Sequence, residues 1–324
     1  MTFFTAVIQL IANHVQVIRT TIFAAVTFLI THLFSEVKTM SILTAIFQAI
    51  AQAFTWIFPV SESGHSAIFH DFAGRFSGAC SKLTGVIHIG IAIGIFIALF
   101  PLFKRLFKNF FGTAVDIAKK RFDIKNLTSV RQFMLMTLIS LVPMLLYLIP
   151  VSRKSNIYQV FNHFSYNGTL ADEGVCFILT GVLLLITLHR VNKVNPLPPI
   201  FQALVLGATA FLAIPTAGCS LVAGVFCIGV LIGMNQKTAV KYAFVLSFVY
   251  LIVRGIIEIC IGVTGVSVVQ IIIAVILSVA AAFFFVRLLM YFIKNKLLKY
   301  VASYDVILGV LCAIIGIVEV IVRK

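Results

Sequence analysis

The sequence predicts an all-α polytopic membrane protein that contains an inverted repeat. Of its 324 residues, 61% are hydrophobic and 11% are charged, and the mean hydropathy is +1.12. A soluble domain has roughly 45–50% apolar and about 25% charged residues, so too few polar residues are present to cover a soluble globule. The apolar runs are continuous and about 17–25 residues long, as membrane-spanning helices require. The composition therefore excludes a soluble enzyme, a disordered chain and a secreted disulfide-rich domain.

Six apolar runs are long enough to be ordinary transmembrane helices. They are residues 83–103, 133–151, 175–191, 242–261, 267–292 and 306–322. Residues 20–34 are also apolar but shorter, and they predict either an extra span or a helix lying in the membrane interface. We therefore divide the chain into an N-terminal extension, residues 1–40, and a membrane domain, residues 41–322.

Basic residues orient these spans, because Lys and Arg concentrate in cytoplasmic loops. The formal net charge is +15, and residues 104–125 hold many of the basic side chains. We interpret this stretch as a solvated inner loop that contacts anionic membrane lipids. On a soluble protein the same charge would suggest nucleic acid. Here the basic residues form no stripe with interleaved aromatic residues, so no nucleic-acid partner is expected.

Two further apolar segments, residues 41–74 and 199–233, are interrupted by polar residues and are predicted to enter the membrane, break and return. Both contain Phe-Gln-Ala followed by Ile or Leu, and both reach a proline near the middle. Counting the spans places the ends of the first segment outside and those of the second inside. Two broken segments that enter from opposite sides are typical of an inverted repeat, and their tips should meet near the midplane. The predicted repeats cover about residues 41–151 and 175–322.

The first polar loop, Ser61-Glu62-Ser63-Gly64-His65, concentrates reactive side chains within an apolar segment. His65 could act as a nucleophile or as a general acid or base, since imidazole titrates near neutrality. Glu62 could orient His65, hold a divalent cation or activate a nucleophile. Ser61 or Ser63 could cap the following helix, whose N–H groups would favour an anion such as phosphate. The alternative is a capped turn without chemistry, but ionisable groups in membrane segments are more often functional.

Other polar residues allow two interpretations each. Thr216 and Ser220 of the second loop could donate hydrogen bonds to an anion, or the loop could simply break the helix. His88 could be a hydrogen-bonded core residue or part of a site. Arg254 and Glu258 lie four residues apart and are predicted to form a structural or interfacial ion pair.

His70 and Asp71 follow the first loop. We interpret them as a solvated helix end, with the outer mouth of the site as the alternative.

The segment Phe58-Pro59-Val60-Ser61-Glu62-Ser63-Gly64-His65 resembles the F/L-P-V/I-S-S-S/T-G-H signature of the undecaprenyl-diphosphate phosphatases, the bacitracin-resistance family. Residues 85–90 and 233–247 resemble two later regions of that family, and the whole resemblance covers about residues 41–322. It implies an inverted repeat with two re-entrant helix pairs in the bacterial plasma membrane and a site open to the outer side. It also implies hydrolysis of a polyprenyl diphosphate lipid, undecaprenyl diphosphate, to the monophosphate that peptidoglycan synthesis reuses. That reaction usually needs a divalent cation, Mg²⁺ or Ca²⁺, and a homodimer is a further expectation.

Several positions depart from the family pattern. Its two glutamates fall at Gln52 and Trp56, and its central serine falls at Glu62. The second signature, P-G-x-S-R-S-G, is replaced by residues 215–220, which contain no arginine. A diphosphate needs compensating positive charge, and the missing groups are a bidentate phosphate binder and the carboxylates that would hold a cation. Glu62 is then the predicted metal ligand, and Arg254 is the candidate for the missing positive charge.

Three functions remain open on the sequence. The first is a phosphatase of the undecaprenyl-diphosphate type with a rearranged site. Its predicted catalytic residues are His65, Glu62, Ser61 and Ser63, and its predicted substrate-binding residues are Gly64, Thr216, Ser220 and Gln52. The second is a catalytically silent homologue that binds or transports a lipid phosphate or another small amphiphile. The third is a small-solute or ion transporter, since broken helices in inverted repeats suit alternating access. We favour the first.

Overall fold

The protein is described by a computed structural model over residues 42–322, with gaps at 74–75, 125, 153–154, 158–169, 191–197, 217 and 262–265. The side chains of residues 69–82 are also not described. The predicted N-terminal extension, residues 1–40, therefore lies outside the described part of the chain, as do the side chains of His70 and Asp71.

Helices make up nearly all of the described chain. The eleven α-helices of this part are α1 Ile42–Ile57, α2 Glu62–Ala73, α3 Phe76–Ala98, α4 Phe100–Ala118, α5 Ser129–Leu145, α6 Ala171–Arg190, α7 Pro199–Ala213, α8 Leu221–Leu231, α9 Gln236–Ile261, α10 Val268–Lys294 and α11 Leu298–Val322. After α5 come a 3-10 turn, Leu146–Leu148, and a short antiparallel hairpin of β1 Pro150–Ser152 and β2 Ser155–Asn156. This architecture confirms the all-α fold class.

Four of the described helices, α6, α9, α10 and α11, are long and apolar enough to cross a membrane. The pair α3 and α4 also passes this test together, but the two helices meet at an angle of 89°. Helix α5 has 17 residues, the short end of the length that spans a bilayer. The protein is therefore a multi-pass membrane protein. The count of about six transmembrane helices stays a prediction.

The predicted span 83–103 and the predicted loop 104–125 both need correction. Helix α3 ends at Ala98, and α4 begins at Phe100 with Pro101 in its first turn. Proline fits the first turn of a helix but not its interior, so the apolar run breaks here although its hydrophobicity continues. The basic stretch that we interpreted as a loop is therefore mostly helical, to Ala118.

Both interrupted segments fold as two helices joined by a short polar turn, as predicted. Helix α1 ends two residues before Pro59, and α7 ends two residues before Pro215, since a proline cannot continue a helix. Ser220 caps α8, because its Oγ accepts the backbone N–H of Ala223 at 3.2 Å. The sequence therefore placed both breaks correctly.

The two halves of the chain exchange their re-entrant helices. Helix α1 packs against α10 of the second half, α7 packs against α5 of the first half, and α3 packs against α9 between them. Small residues let α3 and α10 approach closely, since Gly90 lies against Ser278 and Gly94 against Ala282. This exchange brings the two polar turns to the same place.

Candidate functional site

The tips of the two re-entrant segments touch. The Ser61 hydroxyl donates to the backbone carbonyl of Cys219 at 3.2 Å. Gly64 lies so close to the second turn that a Cβ at this position would be 2.9 Å from the Gly218 Cα. Gly218 itself has a φ of +85°, a backbone conformation that residues other than glycine rarely adopt. The structure thus brings the two loops together as the sequence predicts.

Ser61 holds the first turn in a strained conformation. Its φ is +60°, in the left-handed region that residues other than glycine seldom occupy. Its Oγ accepts the N–H of Gly64 at 3.1 Å and lies 3.2 Å from the Ser63 Oγ. Strain of this kind persists only where surrounding contacts enforce it, and it is often found at functional sites. The hydroxyl of Ser61 is thus used to build the turn.

A partly open cavity of about 30 Å³ lies where the two turns meet helix α9. Its lining includes residues of both loops, the basic side chain of Arg254 and the aromatic rings of Trp56 and Tyr250. The lining residues are Thr55, Trp56, Glu62, Ser63, Ala213, Ile214, Cys219, Ser220, Leu221, Val222, Tyr250 and Arg254. Trp56 stacks on Tyr250 with ring centroids 5.7 Å apart, so an indole stands where the family pattern has a carboxylate.

Two helix N-termini open into this cavity. The first two residues of α2, Glu62 and Ser63, line it, and so do the first two residues of α8, Leu221 and Val222. The first N–H groups of a helix have no carbonyl partner within that helix, and the helix dipole makes its N-terminus electropositive. The N-terminal residues of helices from both halves of the chain therefore line one cavity, and helix N-termini favour the binding of anions.

Glu62 is buried beside these donors, with 7% of its surface exposed. Its Oε1 accepts hydrogen bonds from Gln52 Nε2 at 3.3 Å and from Ser66 Oγ at 3.4 Å. Its Oε2 lies 3.9 Å from Nη1 of Arg254. Gln52, predicted to bind substrate, thus contacts the carboxylate of Glu62.

Arg254 belongs to a network of ionisable side chains from three helices. Its Nε donates to Oε1 of Glu258 at 2.8 Å, which confirms the predicted ion pair within α9. His88 on α3 donates from Nδ1 to the other oxygen of Glu258 at 2.7 Å. Nη1 of Arg254 lies 3.4 Å from the hydroxyl of Tyr250. Arg254, which the sequence proposed in place of the missing loop arginine, therefore lines the cavity. His88 contacts Glu258, the ion-pair partner of Arg254.

His65 is directed toward helices α6 and α11. Its Nδ1 must carry the proton, because its partner at 2.7 Å is the carbonyl oxygen of Ser61. Its Nε2 then accepts the hydroxyl of Tyr304 at 2.7 Å. The Phe177 ring packs edge-on against the imidazole, with centroids 5.3 Å apart. His65 does not line the cavity in this arrangement, and its predicted catalytic role stays a prediction.

The remaining predicted residues divide between the cavity and its supports. Ser220 lines the cavity and caps α8. Thr216 donates to the carbonyl of Leu212 at 2.7 Å and does not line the cavity. The aromatic pair Trp56–Tyr250 was missed by sequence reasoning. Tyr304 was also missed, since it lies more than 200 residues from His65 in the chain.

The chain matches a protein family and a curated relative over most of its length. The family described as bacitracin resistance protein BacA matches residues 45–311 of the chain. An undecaprenyl-diphosphatase from Alkaliphilus metalliredigens (strain QYMF) is 26% identical over 283 residues, covering 83% of this chain and 97% of that protein.

Proposed function

This chain belongs to the bacitracin resistance protein BacA family, and from that premise we propose that it is an integral membrane phosphatase acting on undecaprenyl diphosphate. The observation that carries the proposal is the convergence of two helix N-termini and the Arg254 guanidinium on the cavity that also holds Glu62. The name of the similar undecaprenyl-diphosphatase supports the choice of substrate. The products would be undecaprenyl monophosphate and inorganic phosphate.

Phosphate binding follows from the donors at the cavity. The N–H groups at the start of α2 and α8 and the hydroxyl of Ser63 would donate to the phosphate oxygens, and Arg254 would donate from its planar guanidinium. These groups are fixed before the substrate arrives. Fixed donors stabilise the charge that develops during phosphoryl transfer without reorganising, which is the main source of catalysis in such reactions.

Glu62 is the proposed general base. A water oxygen attacks the terminal phosphorus, and Glu62 takes one proton from that water. The bond between this phosphorus and the bridging oxygen breaks, and the electron pair leaves with undecaprenyl monophosphate. The proton on Glu62 then passes to solvent or to product. His65, Ser61 and Gly64 shape the turn that carries Glu62, and Gln52 orients its carboxylate.

The placement in the cell is also proposed from the family. We propose that the protein lies in the bacterial plasma membrane, that the cavity opens to the outer side, and that the product returns to peptidoglycan synthesis as its lipid carrier. We also propose that residues 41–322 form one domain of two inverted repeats, 41–151 and 175–322. The exchanged packing of α1 and α7 supports this repeat.

The direct test is phosphate release by the purified wild-type protein in detergent with undecaprenyl diphosphate as substrate. We expect one inorganic phosphate for each molecule of undecaprenyl monophosphate formed. A known member of the family, assayed in parallel, is the positive control. If the folded protein releases no phosphate while the control does, the phosphatase proposal fails. Lipid-phosphate binding or transport by a silent homologue would then be the function to examine.

Helix α4 is proposed to contact anionic lipid headgroups, the partner predicted for this stretch. It lies at 89° to α3, as a helix lying along the membrane surface would. Phe103 and Leu106 face the protein, and its exposed surface carries both large apolar residues and basic residues. The exposed apolar residues include Phe107, Phe110, Phe111 and Val115, and the exposed basic residues are Lys104, Arg105 and Lys108. This combination is typical of interfacial helices.

Replacing Lys104, Arg105 and Lys108 together by Gln should remove most of the thermal stabilisation that phosphatidylglycerol gives to the detergent-solubilised protein. Each basic residue near an anionic surface contributes a favourable interaction, and salt should weaken it. The melting temperature with and without the lipid is the measurement. The matched control replaces Lys104 and Lys108 by Arg, which keeps the charge and should keep the stabilisation. Equal lipid responses in the Gln variant and the wild type would contradict the proposed contact.

The predicted homodimer stays a prediction, which light scattering of the purified protein would test.

A further inference from the structure

We propose that Arg254 supplies the positive charge at the phosphates and that this protein hydrolyses its substrate without a bound divalent cation. The inference rests on the proposed function. It departs from the family resemblance, which implies Mg²⁺ or Ca²⁺ with Glu62 as a ligand. The surroundings of Glu62 and the position of Arg254 carry the argument.

The side chains around Glu62 do not fit a metal-binding site. Glu62 is the one acidic residue among those lining the described cavity, and its Oε1 already accepts hydrogen bonds from Gln52 and Ser66. Its Oε2 faces the Arg254 guanidinium at 3.9 Å, and this positive charge would repel a second cation at that oxygen. Within the described residues, no group of three or more His, Cys, Asp or Glu could hold a metal ion. Mg²⁺ at a phosphate is usually held by one or two carboxylates together with substrate oxygens and waters, and Ca²⁺ takes six to eight oxygens. The single carboxylate here already has Arg254 and two hydrogen-bond donors as partners.

Arg254 is placed where a phosphate group would need charge. It lines the cavity together with the N-terminal residues of α2 and α8. A guanidinium has five N–H donors in a planar fork. Arg254 could keep its short hydrogen bond to Glu258, and a phosphate would bind bidentately by replacing longer contacts such as those to Tyr250 and Glu62. The residue comes from α9, whereas the family pattern places its arginine in the second loop. The positive charge at this site thus comes from a helix, whereas in the family pattern it comes from a loop.

The cavity gathers several sources of positive potential. Each helix N-terminus acts as about half of a positive charge, so α2 and α8 together contribute about one. Arg254 contributes a further charge, which its ion pairs with Glu258 at 2.8 Å and Glu62 at 3.9 Å offset in part. These groups are the positive charge that the described lining offers to a bound diphosphate, and Glu62 remains to take a proton.

Glu258 and His88 hold Arg254 in position. Glu258 uses one carboxylate oxygen for Arg254 Nε at 2.8 Å and the other for His88 Nδ1 at 2.7 Å. His88 is fully buried, so it anchors Glu258 in the core between α3 and α9. We therefore regard Glu258 and His88 as positioning residues, which do not themselves contact the substrate.

The first experiment measures phosphate release from undecaprenyl diphosphate in excess EDTA and in excess Mg²⁺ or Ca²⁺. The wild type should keep its rate within about threefold in EDTA, whereas Arg254→Gln should lose about 10²–10³-fold, the usual effect of removing one transition-state donor. Arg254→Lys should fall between them, because a point charge lacks the fork. Arg287→Gln is the matched control. Arg287 lies on α10 over the ring of Phe283, and its loss should leave the rate unchanged.

The second experiment measures binding, and it separates this inference from the proposed function. Methylenediphosphonate, a non-hydrolysable diphosphate, should raise the melting temperature of the wild type in EDTA but not that of Arg254→Gln. A wild-type rate that collapses in EDTA and returns with Mg²⁺ would overturn the inference and leave the phosphatase intact. Diphosphonate binding that is equal in the Arg254→Gln variant and the wild type would also overturn it. If no condition gives phosphate release, the proposed function fails, and the binding comparison still decides the role of Arg254.

Discussion

Glu62→Gln is expected to lower the rate of phosphate release by about 10²–10⁴-fold, the usual contribution of a general acid or base. The amide has the same shape as the carboxylate and keeps an oxygen that can accept from Gln52 and Ser66. The fold should therefore survive, with a melting temperature close to that of the wild type. The measurement is the initial rate at saturating substrate, with binding of methylenediphosphonate as a check that the cavity is intact.

Glu319→Gln is the matched control for this prediction. Glu319 is also a buried glutamate, on α11, and accepts the backbone N–H of Leu170 at 3.3 Å, outside the described cavity. The same chemical change there should leave the rate within about twofold of the wild type, because Glu319 does not line the described cavity. If Glu62→Gln and Glu319→Gln have equal rates, Glu62 is not the base.

His65 provides a second comparison, because the sequence named it as nucleophile or acid–base. Its Nδ1–H donates to the Ser61 carbonyl, and its Nε2 accepts from Tyr304. If these contacts position the turn, His65→Asn should keep most of the rate, since an amide N–H can replace Nδ1–H, whereas His65→Ala should not. If His65 forms a phosphohistidine or transfers a proton, both variants should lose the rate equally.

The breaks in the chain were predictable because they depend on local chemistry. A proline ends each re-entrant helix, and polar side chains follow it within an apolar segment, so both turns could be placed from the sequence. The same local signal was present at Pro101, where α4 begins. The run of apolar residues continues past that proline, and for this reason the predicted span extended beyond the bend.

The contacts between helices were not predictable, because they depend on how distant segments pack. Arg254 and Glu258 could be paired from their spacing, but the approach of Arg254 to Glu62 is set by the packing of α9 against α3 and α8. The contact between His65 and Tyr304 likewise depends on α2 and α11 meeting. The sequence therefore named most of the polar residues at the site, whereas their partners came from the structure.

Gly64→Ala is expected to disturb the contact between the two turns and to lower both stability and rate. The added methyl group would lie 2.6 Å from Cζ of Phe177 and 2.9 Å from the Cα of Gly218. Phe177 is fully buried, so its ring has little room to move, and Gly218 is backbone of the facing turn, so relieving that contact would separate the two loops. Overpacking of this kind costs about 1–3 kcal/mol and sometimes more. A lower melting temperature and a lower yield of folded protein are the expected stability results.

The rate of phosphate release should fall by a larger factor than the loss of folding stability alone explains. In the proposed binding mode, the N-termini of α2 and α8 would contact the same phosphate only while the two turns touch, and a misplacement of about 1 Å can cost about 10²-fold. Gly112→Ala in α4 is the matched control, because the nearest atom to its new methyl group would be Arg131 Nη2 at an ordinary 3.5 Å. That variant should keep the wild-type rate. Adding Phe177→Leu to Gly64→Ala removes the ring contact but leaves the one with Gly218, so the rate should recover only in part. Full recovery in the double variant would show that the ring, and not the approach of the two loops, made glycine necessary.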